Sequence, residues 1–253
     1  MTATIPAAIP AATLILFRTH ADQAEILFVE RAGTMAFAAG AIVFPGGRVD
    51  PGDHMLATRF PEIDADDAAA RIAAIRETIE ETGIAIGMAG SVDAATVAML
   101  RTHLNDGIVF ADALAALHLR IRPELLIPFS RWRPTSSERR LFDARFYLAE
   151  APDDALTATV DETENVRLFW ASAQQVLDDA DAGRVKIIFP TRRNLERLAQ
   201  FTDFAEARKQ ARQFSPDLIT PWVEEREGVR HLCIPGDRGY PICSEPLENV
   251  LRG

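Results

Sequence analysis

The sequence predicts an α/β fold, and three observations carry that reading. Apolar segments at residues 13–18 and 25–30 have the length and alternation of strands and are joined by a polar turn around residues 20–23. A strongly periodic helix at about residues 66–82 directly follows a glycine turn at the end of a short apolar run. Further on, strand-like and helix-like segments interleave, as they do in sheets covered by helices. With 253 residues, 48% of them hydrophobic, the chain can bury a sizeable core as one decorated domain without disulfide support.

The elements follow in order. Residues 39–44 read as a third, buried strand that ends in Pro45-Gly46-Gly47, where the backbone can approach a ligand with no Cβ in the way. The stretch after Asp53, with Pro61 and scattered charges, reads as a loop over about residues 54–68. In the helix that follows, Ala68, Ile72, Ile75 and Ile79 recur at i, i+4, i+7 and i+11 and form one apolar stripe. Asp64, Asp66 and Asp67 suit its N-terminus, and Gly83 suits the left-handed residue that ends it. Two short helices at residues 91–104 and 110–119, separated by Asn105-Asp106-Gly107, form a helical insertion (about 91–120) expected to cover a site or build a dimer contact. Strands are expected at 125–132, 141–148 and 166–170, helices at 172–179, 192–201 and 204–213, and an irregular tail at 221–233 and 240–242. The division expected is a main domain over residues 1–222 and a packed tail over 223–253.

The helix carries chemistry on its other side. At about 100° per residue, Glu77, Glu80 and Glu81 fall within roughly a 100° arc. Such crowding is costly unless a cation sits there, and hard carboxylate oxygens suit Mg²⁺ or Mn²⁺, which in turn suit a diphosphate.

Together the glycine turn and the segment Arg76-Glu77-Thr78-Ile79-Glu80-Glu81-Thr82-Gly83-Ile84 resemble the Nudix box, G-x5-E-x7-R-E-U-x-E-E-x-G-U, where U is a bulky aliphatic residue. The box would span residues 47–84. Asp53 stands where the box has Glu, Thr78 occupies a U position, and 22 residues separate Asp53 from Arg76 where the box has seven. The flanks, Arg31 to Phe37 with Gly40 to Asp50, and Phe189 to Leu195 with Leu198, are similar to the coenzyme A diphosphatase branch, whose peroxisomal animal type also carries a long insert.

The resemblance implies an α/β/α sandwich around a mixed sheet and a hydrolase of diphosphate compounds. It implies that the Gly46 carbonyl, Glu77, Glu80 and Glu81 bind Mg²⁺ or Mn²⁺, with Arg76 bracing the glutamates. The base is one of these glutamates or a later acid, for which Glu164 and Glu162 are the candidates. The substrate class implied is coenzyme A or its thioesters, with NADH or ADP-ribose as the enzymatic alternatives and a non-catalytic binder as a third.

Arg131, Arg133, Arg139, Arg140 and Arg145 lie within fifteen residues, on or beside the two expected strands at 125–132 and 141–148, where guanidinium groups suit bidentate phosphate contacts; Arg48, Arg131, Arg133, Arg140 and Arg145 are the candidate substrate ligands. A net charge of −10 argues against sequence-independent nucleic-acid binding. Residues 1–16 are apolar but lack a basic start and contain Pro6 and Pro10, so neither a signal peptide nor a membrane span is expected, and the location expected is cytoplasmic. Cys233 and Cys243 have no metal-type spacing.

Overall fold

The computed structural model describes residues 8–21, 23–33, 38–133, 141–152 and 165–250. Its strands are β1 (Ile9–His20), β2 (Gln23–Arg31), β3 (Ile42–Val43), β4 (Gly46–Arg48), β5 (Ile127–Trp132), β6 (Phe142–Glu150), β7 (Asn165–Ala171), β8 (Leu218–Ile219), β9 (Trp222–Arg226), β10 (Val229–Cys233) and β11 (Ser244–Pro246). Its helices are α1 (Pro51–Ala57), α2 (Ala65–Thr82), α3 (Ala94–Asn105), α4 (Phe110–Ala116), α5 (Ala173–Asp181), α6 (Phe189–Leu198), α7 (Phe204–Ala211) and α8 (Leu247–Val250).

Strands β1 to β8 form one mixed sheet with the path β3-β2-β1-β6-β5-β8. The strand β1 runs parallel to β6 from Ile9↔Phe142 to Phe17↔Glu150, and β4 closes against its start through Ala11↔Arg48 and Thr13↔Gly46. On the other edge of β2, β7 pairs antiparallel. Alternation along the strands divides the core: Ala12, Leu14, Leu16 and Leu27 face α2, while Ile15, Phe17, Ile26 and Phe28 face α5, α6 and α7. The result is the expected three-layer α/β/α arrangement.

The helix α2 forms as its sequence dictates. Ala68, Ile72, Ile75 and Ile79 are all fully buried against the sheet. The Asp64 side chain accepts from the Asp67 N–H, and Gly83 takes the left-handed conformation, φ 70°, at the other end. The two short helices of the insertion also form, and α3 packs on α2.

Three expectations need correction. The stretch 54–68 is not one loop: α1 occupies Pro51–Ala57 and α2 has begun by Ala65. The signal lay in Asp50-Pro51-x-Asp53, an N-cap, a proline in the first turn and an acid that closes a capping box. Similarly, α6 starts at Phe189, with Pro190 in its first turn, three residues ahead of the expected start. The tail is not irregular, because β9, β10 and β11 form an antiparallel sheet. Its first hairpin turns on Glu227-Gly228, both at positive φ, a two-residue turn that matches strand twist. All of β9 is exposed, so no apolar alternation marks it.

Polar groups buried on α6 tie this tail to the domain. Arg197 is 1% exposed; it donates to Gln210 Oε1 and to the Phe129 carbonyl and lies over the rings of Phe129, Phe214 and Tyr240. Arg193 donates to Glu196 at 2.7 Å and to Glu245 of β11 at 2.9 Å. Burial pushes the Glu196 carboxyl up to about 7, although Arg193 and Arg192 oppose the shift.

A pH test follows. The unfolded chain releases the Glu196 proton near 4.5 while the folded chain keeps it to about 7, so this group favours the fold fully below that window and its contribution is lost as pH rises through it. Melting temperature measured at several pH values from about 5 to about 8 should fall less with rising pH in Glu196→Gln than in the parent. Parallel curves would mean that Glu196 is ionised throughout.

Candidate active site

Arg76 sits at the centre of the acidic face of α2 and is 7% exposed. All five of its N–H donors are used. Nε and Nη2 grip Asp53 Oδ1 and Oδ2 at 3.1 and 3.0 Å, Nη1 reaches Glu77 Oε1 at 2.9 Å and Glu80 Oε2 at 3.1 Å, and Nη2 also reaches the Arg48 carbonyl at 2.9 Å. Burial opposes the charged guanidinium, but the hydrogen bond to Asp53 and the charges of Glu77, Asp53 and Glu80 outweigh it and raise the pKa. Asp53, 1% exposed, also accepts from the Asp50 N–H at 2.9 Å. One buried acid therefore closes α1 and anchors Arg76.

The third glutamate is held differently. Glu81 is 5% exposed; Oε2 accepts from the Gly46 N–H at 2.9 Å, and Oε1 accepts from Asn165 Nδ2 at 3.1 Å. The glycines are required by this closeness: a Cβ on Gly47 would lie 2.3 Å from the Glu77 carboxyl, and one on Gly46 would lie 2.3 Å from the Ala12 carbonyl oxygen. From the helical insertion, Arg101 donates to the carbonyls of Glu80 and Glu81 at 2.9 and 3.1 Å, a cation placed where the helix dipole favours one.

The acids carry more negative charge than their partners offset. Burial pushes the Glu77 carboxyl up to about 8; Arg76 opposes the shift, and the charges of Glu80 and Glu81 add to it. Burial also raises Glu80. Among the described residues, no three His, Cys, Asp or Glu side chains are grouped so as to hold a metal ion, since Glu77 and Glu80 turn onto Arg76 while Glu81 turns onto Gly46. The donor set itself fits a hard dication: three carboxylates on one helix, short of positive charge, beside a glycine turn whose backbone lies close to them.

The other expected site residues are dispersed. Arg131 is held bidentate by Asp143 at 2.7 Å, and Arg145 reaches Asp67 at 3.3 Å. Asp67 lies in the first turn of α2, ten residues from Glu77, about 15 Å along the axis at 1.5 Å per residue. Arg133 follows the end of β5, and Arg48 is exposed on β4 beside Gly47. Arg139, Arg140, Glu162 and Glu164 lie outside the described residues. Three participants went unassigned from sequence. Asp53 had a signal in its box position, weakened by the long insert, whereas Asn165 and Arg101 had none.

The fold can be matched to known structures. A crystal structure of a NUDIX hydrolase from Alicyclobacillus acidocaldarius superposes with a TM-score of 0.70 at 27% identity, covering 81% of this chain and 97% of that one. The chain is thus similar in fold and in sequence to a Nudix hydrolase. Among curated proteins, the chain is 27% identical over 228 residues to a Caenorhabditis elegans protein that carries the name nudix hydrolase 7, covering 90% of this chain and 73% of the relative. It is 24% identical over 306 residues to the acyl-coenzyme A diphosphatase NUDT19 of Xenopus laevis, covering 93% and 80%. No family model matches the chain.

Removing the anchor of Arg76 tests the network. Asp53→Ala should lower unfolding free energy by about 3 kcal/mol or more, because it leaves a buried cation short of a partner. Urea unfolding followed by circular dichroism measures this. A loss below about 1 kcal/mol would show that Asp53 and Arg76 are not coupled.

Proposed function

We propose that this chain is a Nudix hydrolase that cleaves the diphosphate link of coenzyme A or an acyl-coenzyme A, giving 3′,5′-ADP and (acyl-)4′-phosphopantetheine, with Mg²⁺ or Mn²⁺ as cofactor. The observation that carries the reading is the carboxylate face of α2, where Glu77, Glu80 and Glu81 crowd around Arg76 and the glycine turn. The likeness to the Xenopus acyl-coenzyme A diphosphatase supports the choice of substrate.

In this reading, Glu77, Glu80, Glu81 and the Gly46 carbonyl hold the dication, which when bound neutralises diphosphate oxygens and orients the attacking water. The chain's own groups do the rest. Arg76 fixes Glu77 and Glu80 through one nitrogen, so neither carboxylate swings when substrate arrives. Asp53 keeps that guanidinium in place from below. Arg48 and Arg133, which have no carboxylate partner among the described residues, together with Arg140 are the proposed phosphate contacts. Arg131 and Arg145 would first have to leave Asp143 and Asp67. The proton of the attacking water goes to one of the helix glutamates or to Glu164. No helix among the described residues is long and apolar enough to cross a membrane, and a cytoplasmic location is proposed.

Two measurements test this. Glu80→Gln and Glu81→Gln should each lower turnover by about 10²-fold or more, with unchanged circular dichroism, since each removes a charged oxygen ligand. Parent rates in both variants at saturating Mg²⁺ would mean the carboxylates do not serve catalysis. For the substrate, kcat/KM should be compared for coenzyme A, dephospho-coenzyme A, NADH and ADP-ribose at one Mg²⁺ concentration. A charged hydrogen bond to the 3′-phosphate contributes roughly 1.5 to 3 kcal/mol, so coenzyme A should exceed its dephospho form by about tenfold or more. Equal or better use of NADH or ADP-ribose would refute the coenzyme A assignment and leave the hydrolase family standing.

A further inference from the structure

A distortion at the start of β7 delivers a side chain to the wrong face of the sheet, and that face holds the acids. In β7, Phe169 and Ala171 pack with the layer of α5 and α6, whereas Leu168 and Trp170 pack with the layer of α2. Strict alternation would send Asn165, like Phe169, away from α2. The register against β2 slips between Glu30 and Arg31: Arg167 pairs with Glu30, and Asn165 pairs with Arg31. Val166 is thereby squeezed out of the ladder and is 60% exposed. The bulge returns Asn165 to the α2 face, where it is 1% exposed and places Nδ2 3.1 Å from Glu81 Oε1.

We infer that Asn165 is a positioning residue for Glu81, and that the bulge exists to supply it. The two oxygens of Glu81 are held by two neutral donors from two different strands, Gly46 N–H of β4 and the Asn165 amide of β7. Glu77 and Glu80, by comparison, are both held by Arg76. Neutral donors fix the plane of a carboxylate without themselves neutralising it. An arginine at this place would compete with a dication; an aspartate would repel Glu81. The inference rests on the proposed cation site and concerns how tightly that site is organised.

The test reads cation binding directly, by the loss of the free Mn²⁺ electron paramagnetic resonance signal on titration, without substrate. Asn165→Ala and the nearly isosteric Asn165→Leu both remove the donor and should each weaken Mn²⁺ binding by about tenfold or more. Melting temperature is followed in both, so that a folded variant is used for each titration. At saturating Mn²⁺ the KM for coenzyme A should change by less than about twofold, because the substrate does not touch the amide. Binding within about twofold of the parent in both variants overturns the role of Asn165. Tighter Mn²⁺ binding by Asn165→Asp also overturns it, since position 165 would then be a ligand position. Glu81→Gln serves as the control. If it binds Mn²⁺ as well as the parent does, or the parent binds none, the cation site itself falls and this inference with it.

Discussion

A single buried guanidinium sets the terms for the rest of this site. Arg76 cannot be buried as a charge without acids around it, and each acid it recruits fixes another piece of chain. Asp53 draws α1 onto α2, the Arg48 carbonyl draws in β4, and Glu77 and Glu80 are pinned on the helix itself. The long segment between Asp53 and Arg76 is tolerable for the same reason. Lengthening a loop from seven to 22 residues adds only about 1 kcal/mol of closure entropy, which a buried bidentate ion pair can offset. The added residues are also not free chain, because α1 and the turn after it bring Asp53 back under the helix.

The second constraint is an excess of acid. One arginine shared among Asp53, Glu77 and Glu80 cannot neutralise all three, and Glu81 accepts from the neutral donors of Gly46 and Asn165. Burial then makes Glu77 hold a proton up to about 8. A binding protein has little use for such crowding, whereas a hydrolase acting on a diphosphate needs a cation held where the substrate oxygens will lie. The glycine turn leaves room for that ligand, because any side chain at position 47 would occupy the space of the Glu77 carboxyl.

What was legible in the sequence was what depends on local order. The stripe of Ala68, Ile72, Ile75 and Ile79, the cap at Asp64 and the stop at Gly83 all lie on one helix, and the acidic face follows from the same period. The strands β1 and β2 announced themselves through apolar runs that are buried on both faces. What was obscure depends on partners distant in the chain or on irregularity. The helix α1 was masked by the proline and charges that follow it, and the sheet of β9, β10 and β11 by its exposure. Nothing near Asn165 in sequence points to Glu81, 84 positions away, since a bulge decides which face it takes. The arginine cluster illustrates the opposite hazard: Arg131 and Arg145 were evident in sequence, yet carboxylates next to them in the fold claim both.

The central claim is that the carboxylate face organised by Arg76 binds a divalent cation. It is tested most directly by a crystal structure of the protein grown with Mn²⁺, with anomalous differences collected to locate the metal. The account predicts a peak at about 2.0–2.3 Å from oxygens of Glu77, Glu80 or Glu81 and close to the Gly46 carbonyl, with Arg76 still bound to Asp53. A structure grown at saturating Mn²⁺ with no peak on this face, or with the metal held by other residues, would contradict it.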